Sequence, residues 1–111
     1  LLLGRKTQEG HLVRRIALVP NIATGDDAYE LDPLTWREVE LEARAEELEV
    51  VGVWHSHPRT QATPSARDRA AAQLGWSHVI TAAAAPTRTR SYYASSDGLV
   101  EQRVSSKDSL G

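Results

Sequence analysis

Val50-Val51-Gly52-Val53-Trp54 restricts the architecture more than any other stretch of this chain. Its apolar residues run without a break instead of alternating with polar ones. That pattern fits an interior strand covered on both faces. Gly52 inside it implies a neighbouring backbone too close for a side chain. The whole chain has 111 residues, which fits one domain over 1–111 and leaves no room for a second.

The remaining elements follow from local signals. His11 to Asn21 reads as a strand ended by Pro20, and Asn21 to Pro33 reads as loop. Asp32 followed by Pro33 marks a helix start, a capping carboxylate before a ring with preset φ, and the helix is expected to run to about Glu47. It carries two apolar stripes, Leu34, Leu41, Ala45 and Leu48 on one side and Trp36, Val39 and Ala43 on the other. One stripe covers the sheet. The other, led by Trp36, needs a second cover, either an N-terminal helix before Leu1 or a partner chain, so a homodimer is one of two expectations. Glu40 and Arg44 stand in the favourable order for an ion pair one turn apart.

A second helix is expected from Thr63, with Pro64 at its first position, to a stop near Gly75. Ser77 to Ala84 reads as a strand, and Thr89 to Val104 as a hairpin turning at Asp97-Gly98. Residues 105–111 are expected to fray. The predicted order is β, α, β, α, β, β, β, an α/β domain with a mixed β-sheet flanked by helices.

Composition narrows the function classes. Net charge is −2, so nothing in the overall charge points to nucleic acid or an anionic membrane surface as partner. No apolar run is long enough to span a bilayer. The chain has no cysteine, which excludes disulfides and thiolate metal clusters. With no secretory signal visible, a cytoplasmic location is the expectation. It also has no methionine, so a segment is expected before Leu1.

The apolar strand runs directly into His55-Ser56-His57-Pro58. Alternate strand residues share a face, so both imidazoles project to one side, with Cα atoms roughly 6.5 to 7 Å apart. Pro58 ends the ladder, and the next helix carries Ser65 and Asp68 on one face. Two neutral nitrogens and one carboxylate, with a fourth position open, describe a catalytic zinc site. Ser65 lies where a hydroxyl could donate to an oxyanion. Each residue also has a plain structural explanation. Histidines cap or face solvent, an aspartate near a helix start favours the dipole, and a serine there bonds the backbone.

Together these residues resemble a known family. His55-x-His57, seven residues, then Ser65-x-x-Asp68 is similar to the H-x-H-x(7)-S-x-x-D signature of the JAMM (MPN+) metallopeptidases. Leu1-Leu2-Leu3-Gly4 looks like the end of that family's first helix, Leu18-Val19-Pro20-Asn21 like its early strand and loop, and Leu31-Asp32-Pro33 like the start of its second helix. The resemblance covers nearly the whole chain. It implies an MPN/JAMM-like (cytidine-deaminase-like) architecture, with the N-terminal helix lying before Leu1. It also implies a zinc metallopeptidase that hydrolyses peptide or isopeptide bonds at the C-terminus of a ubiquitin-like protein. The chain lacks the long insertions of the eukaryotic deubiquitinases and looks like the short prokaryotic members, which act on sulfur-carrier proteins of the MoaD/ThiS kind.

Carried over by position, His55, His57 and Asp68 would bind Zn²⁺ and Ser65 would support the oxyanion. The family's general-base glutamate would fall four residues before Leu1, outside the chain. Alternatives are a non-catalytic scaffold on the same fold, or a hydrolase of cell-wall peptides. His11 and His78 read as structural. Arg88 and Arg90, alternating beside Tyr92 and Tyr93, read as an exposed strand face whose edge could receive an extended peptide.

Overall fold

A computed structural model describes residues 1–19, 31–57, 62–83 and 88–105. The ladder stop at Pro58 and most of the 105–111 tail lie outside these residues, while the strand expected to run to Pro20 already ends at Ile16. The element order is β1 (Leu2–Thr7), β2 (Gly10–Ile16), α1 (Pro33–Ala45), β3 (Glu49–His57), α2 (Ala66–Ala71), β4 (Ser77–Ala82), β5 (Thr89–Ser95) and β6 (Gly98–Gln102). The strands form one six-stranded sheet in the order β2-β1-β3-β4-β5-β6. Only β3 and β4 pair in parallel, so the sheet is mixed. It dominates the domain. The described helices are few and α2 is short, so the expectation of a clearly helix-flanked sheet gives way to a sheet-dominated one.

The expected order therefore holds with one strand added at the front. Leu1-Leu2-Leu3-Gly4 opens a strand, not the end of a helix. Its backbone pairs with β2 on one side and β3 on the other. Leu1 and Leu3 form a cluster with Val39 and Ala43 of α1, joined by Trp36, Leu48, Val50 and Trp76. Each fully buried leucine or valine among them contributes roughly 1.5 to 3 kcal/mol. This reverses the expected use of the two stripes on α1. The Trp36 stripe packs inward, and the Leu34 and Leu41 stripe faces solvent.

β3 is central as read, with Val51 and Val53 buried. Its far end is open on one face, where Trp54 is 44% exposed and its indole N–H donates to Thr81 Oγ1 of β4 at 2.7 Å. The expected close approach at Gly52 is present: a Cβ there would lie 2.0 Å from the Ser77 carbonyl oxygen. Contact at that range is repulsive, so Gly52 lets β3 and β4 lie together.

α2 is shorter than expected. It starts at Ala66 because Ser65, in an extended conformation, caps it, which leaves Pro64 just outside. It ends at Ala71 because Ala72 returns to the extended region. Glu40 and Arg44 make no ion pair with each other within 4 Å. The salt bridge that anchors this end of α1 is Glu46 with Arg15 of β2. β5 lies between β4 and β6, so Arg90 is on an interior strand and not on an edge. His11 takes a structural role, as read. Its Nδ1 lies 2.6 Å from Ser77 Oγ, which also accepts from Gln102 Nε2 at 2.7 Å. That serine's own hydrogen is thus available to His11. Among the described residues no helix is long and apolar enough to cross a membrane.

Candidate functional site

The parallel register of β3 and β4 sets the geometry. His55 is opposite Ile80, and His57 is opposite Ala82. These four positions share one face of the sheet, while Ser56 shares the other with Thr81. Ile80 and Ala82 form a buried cluster with Ala62 and Tyr92. The Tyr92 hydroxyl donates to the Ala62 carbonyl at 3.0 Å, fixing the segment that leads into α2 against the sheet. Three residues later the chain reaches Ser65.

α2 is held at its start by a reciprocal pair of bonds. The Ser65 backbone N–H donates to Asp68 Oδ2 at 2.7 Å, and the Asp68 backbone N–H donates to Ser65 Oγ at 3.1 Å. This is a capping box, with an aspartate in place of the usual glutamate. A cap explains only one carboxylate oxygen. The other, Asp68 Oδ1, lies 3.1 Å from His55 Nε2, although His55 belongs to a different element. The Asp68 side chain is 2% exposed and that of His55 13%.

The structure thus brings His55, Asp68 and Ser65 together at the end of β3. The backbone of His57 occupies the expected place in the strand, and its side chain lies outside what is described. Among the described residues no three His, Cys, Asp or Glu side chains form a group able to hold a metal ion.

Sequence reasoning missed one neighbour. His78 on β4 is 1% exposed. Its Nε2 accepts a bond from the Gln73 backbone N–H at 3.3 Å, just beyond the end of α2. Accepting there puts the proton of the neutral ring on Nδ1, which is buried and has no hydrogen-bond partner among the described residues. Burial holds the His78 imidazole below the ordinary histidine range. His55 pushes the same way and Asp68 opposes it. His78 therefore sits in the electrostatic field of the site and ties the exit of α2 to β4. Its strand was legible, but only the β3/β4 register could have placed it beside His55.

Residues 1–95 match the Prok-JAB family, described as prokaryotic homologs of the JAB domain. The chain belongs to that family. Two solved structures resemble this JAB homolog. The solution structure of a Desulfitobacterium hafniense protein superposes with a TM-score of 0.80 at 28% identity, covering 93% of this chain and 73% of that one. The solution structure of a Salinibacter ruber protein gives a TM-score of 0.70 at 28% identity, covering 97% of this chain and 76% of that one. No curated protein matches the JAB homolog.

Proposed function

We propose that this prokaryotic JAB homolog is a zinc-dependent hydrolase, cutting peptide or isopeptide bonds at the C-terminus of a ubiquitin-like or sulfur-carrier protein. One observation carries the reading: the 3.1 Å approach of His55 Nε2 to Asp68 Oδ1, made by two elements that share no local contact in sequence. Two ligand atoms bound tetrahedrally to one zinc are about 3.3 Å apart, given bonds of about 2.0 Å. The spacing of this one pair is compatible with two ligands of a shared ion. Imidazole nitrogens from His55 and His57 and a carboxylate oxygen from Asp68 would hold the ion.

When bound, zinc supplies Lewis acidity, polarising a carbonyl and making water a usable nucleophile near neutral pH. The chain's own groups do the rest. Asp68 Oδ2 is fixed by the Ser65 N–H, which orients the carboxylate and leaves Oδ1 turned to His55. Ser65 Oγ accepts one bond in the cap, so its hydrogen remains to donate to an oxygen gaining negative charge. The site lies at the ends of the central strands, away from both edges of the sheet, so a substrate tail would meet it across the sheet end.

The proton relay falls to the glutamate that the family resemblance implies. That resemblance would put the glutamate four residues before Leu1, outside this chain. A carboxylate there would carry a proton from the attacking water to the leaving nitrogen, a contribution of about 10²- to 10⁴-fold.

Metal analysis of protein purified without added zinc tests the assignment. One zinc per chain is expected, lost together with cleavage of a carrier protein's C-terminal extension in His57→Ala. Folded protein without stoichiometric zinc, or cleavage that survives His57→Ala, would overturn it in favour of a binding module.

A further inference from the structure

We propose that the outer face of α1 pairs, helix parallel to helix, with α1 of a second copy of this chain. Leu34 and Leu41 stand seven residues apart on one side of α1 and are 75% and 51% exposed. They are not needed for the fold, because Val39 and Ala43 face the other way and make the contact with the sheet. Two exposed leucines alone would not identify a partner. The charges beside them do.

At 100° per residue, Arg37 and Arg44 fall on one side of the leucine line and Glu38 and Glu42 on the other. All four are exposed. Among the described residues none of them forms an ion pair within 4 Å, and the pairs that do form lie elsewhere. The stripe therefore has one basic rim and one acidic rim, both uncommitted.

Such a surface complements itself in one orientation. When two copies meet about a two-fold axis along the helices, the basic rim of each faces the acidic rim of the other, twice. In an antiparallel arrangement each rim faces its own kind, which is repulsive. α1 has 13 residues and spans about 20 Å. The contact is therefore smaller than the roughly 800 Å² per partner of a standard stable interface. The dimer is accordingly weak and exchanges with monomer. This inference does not depend on the proposed hydrolase activity.

Sedimentation velocity across the micromolar to millimolar range tests it. The dimer fraction of the wild-type chain should rise with concentration and fall as salt is added, because screening weakens the attraction between rims. Leu34→Ser with Leu41→Ser should leave a monomer with an unchanged circular dichroism spectrum, since both positions are exposed. Arg37→Glu with Arg44→Glu gives a chain with two acidic rims, and Glu38→Lys with Glu42→Lys gives one with two basic rims. Each should be monomeric alone, and the equimolar mixture should associate. That association should vanish when the two leucines are also replaced.

A wild-type chain that stays monomeric overturns the inference. So does a dimer that survives loss of both leucines, or a mixture that stays apart. Association that strengthens with salt would overturn the parallel arrangement, because it would mean that like charges face each other.

Discussion

Asp32 and Asp68 each sit at the start of a helix, and the difference between them separates a cap from a candidate ligand. Asp32 precedes α1 and spends both oxygens locally, accepting from the Leu34 N–H at 3.3 Å and from Thr35 Oγ1 at 2.8 Å. Asp68 spends one oxygen locally, on the Ser65 N–H, and turns the other to His55 on a different element. Helix-start chemistry accounts for all of Asp32 and half of Asp68. Burying a carboxylate to 2% exposure is costly unless its partners compensate, so the second oxygen is the informative one.

Removing each carboxylate should break the comparison open. Asp68→Ala loses the cap bond and strips His55 of its neighbour, so a stability loss of about 2 to 3 kcal/mol is expected in urea denaturation. Zinc retention should be lost with it. Asp32→Ala should cost about 1 kcal/mol, the ordinary value of a cap, and leave zinc binding unchanged. Equal losses at the two positions would reduce Asp68 to a second cap.

Asp68→Asn sharpens the contrast. An amide oxygen can still accept from the Ser65 N–H, so stability should stay within about 1 kcal/mol of wild type. The anionic ligand is gone, however, and zinc affinity should fall roughly ten-fold or more, measured by competition with a chelating dye. A variant that is unstable yet binds zinc normally would place the whole role of Asp68 in the cap.

The same contrast separates what is legible in the amino-acid sequence from what is not. Asp32-Pro33 is legible as a helix start because every group involved lies within three residues. Ser65 and Asp68 are legible as a pair for the same reason, although the spacing alone does not reveal the capping box that makes Ser65 the N-cap. The two hairpins make the point again. Thr7 and Ser95 play one role: each hydroxyl donates to the carbonyl of a glycine three residues on and accepts the N–H two residues on. The Asp97-Gly98 turn announces the second hairpin. Glu9-Gly10 carries no such signature, so nothing local marks β1, and the family resemblance alone suggests a helix end where a strand forms. Three leucines in a row have no period that distinguishes strand from helix. His78 escapes sequence reading because its relation to His55 exists only in the pairing of β3 with β4.

Acid should also separate the two helices. The His78 Nε2 that accepts from the Gln73 N–H cannot do so once protonated, and burial already holds this ring below its ordinary value of 6.5. The folded state thus favours the neutral ring, and the unfolded chain takes up the proton first. The contribution is therefore complete above about pH 6.5 and is lost as pH falls below that towards the folded-state value. Hydrogen exchange between pH 7.5 and pH 5.5 should show the amides of α2 and of Gln73 losing protection while those of α1 keep theirs. His78→Gln, whose side-chain oxygen can accept from the same N–H, should flatten that response. If α1 and α2 lose protection together, His78 is not what ties α2 to the sheet.

The smallest expected effect is also the strictest control. Asparagine and aspartate cap helices about equally well, so Asp32→Asn should change stability by no more than a few tenths of a kcal/mol. Its oxygen still accepts from the Leu34 N–H, and its NH2, which cannot accept from Thr35 Oγ1, can donate to that hydroxyl oxygen instead. The same substitution at the two aspartates thus removes the same charge from two helix starts. Only at Asp68 does that charge face an imidazole from a different element. A drop in zinc affinity after Asp32→Asn would mean that the ion responds to the general field of the helix starts, and the distance between His55 and Asp68 would lose its meaning.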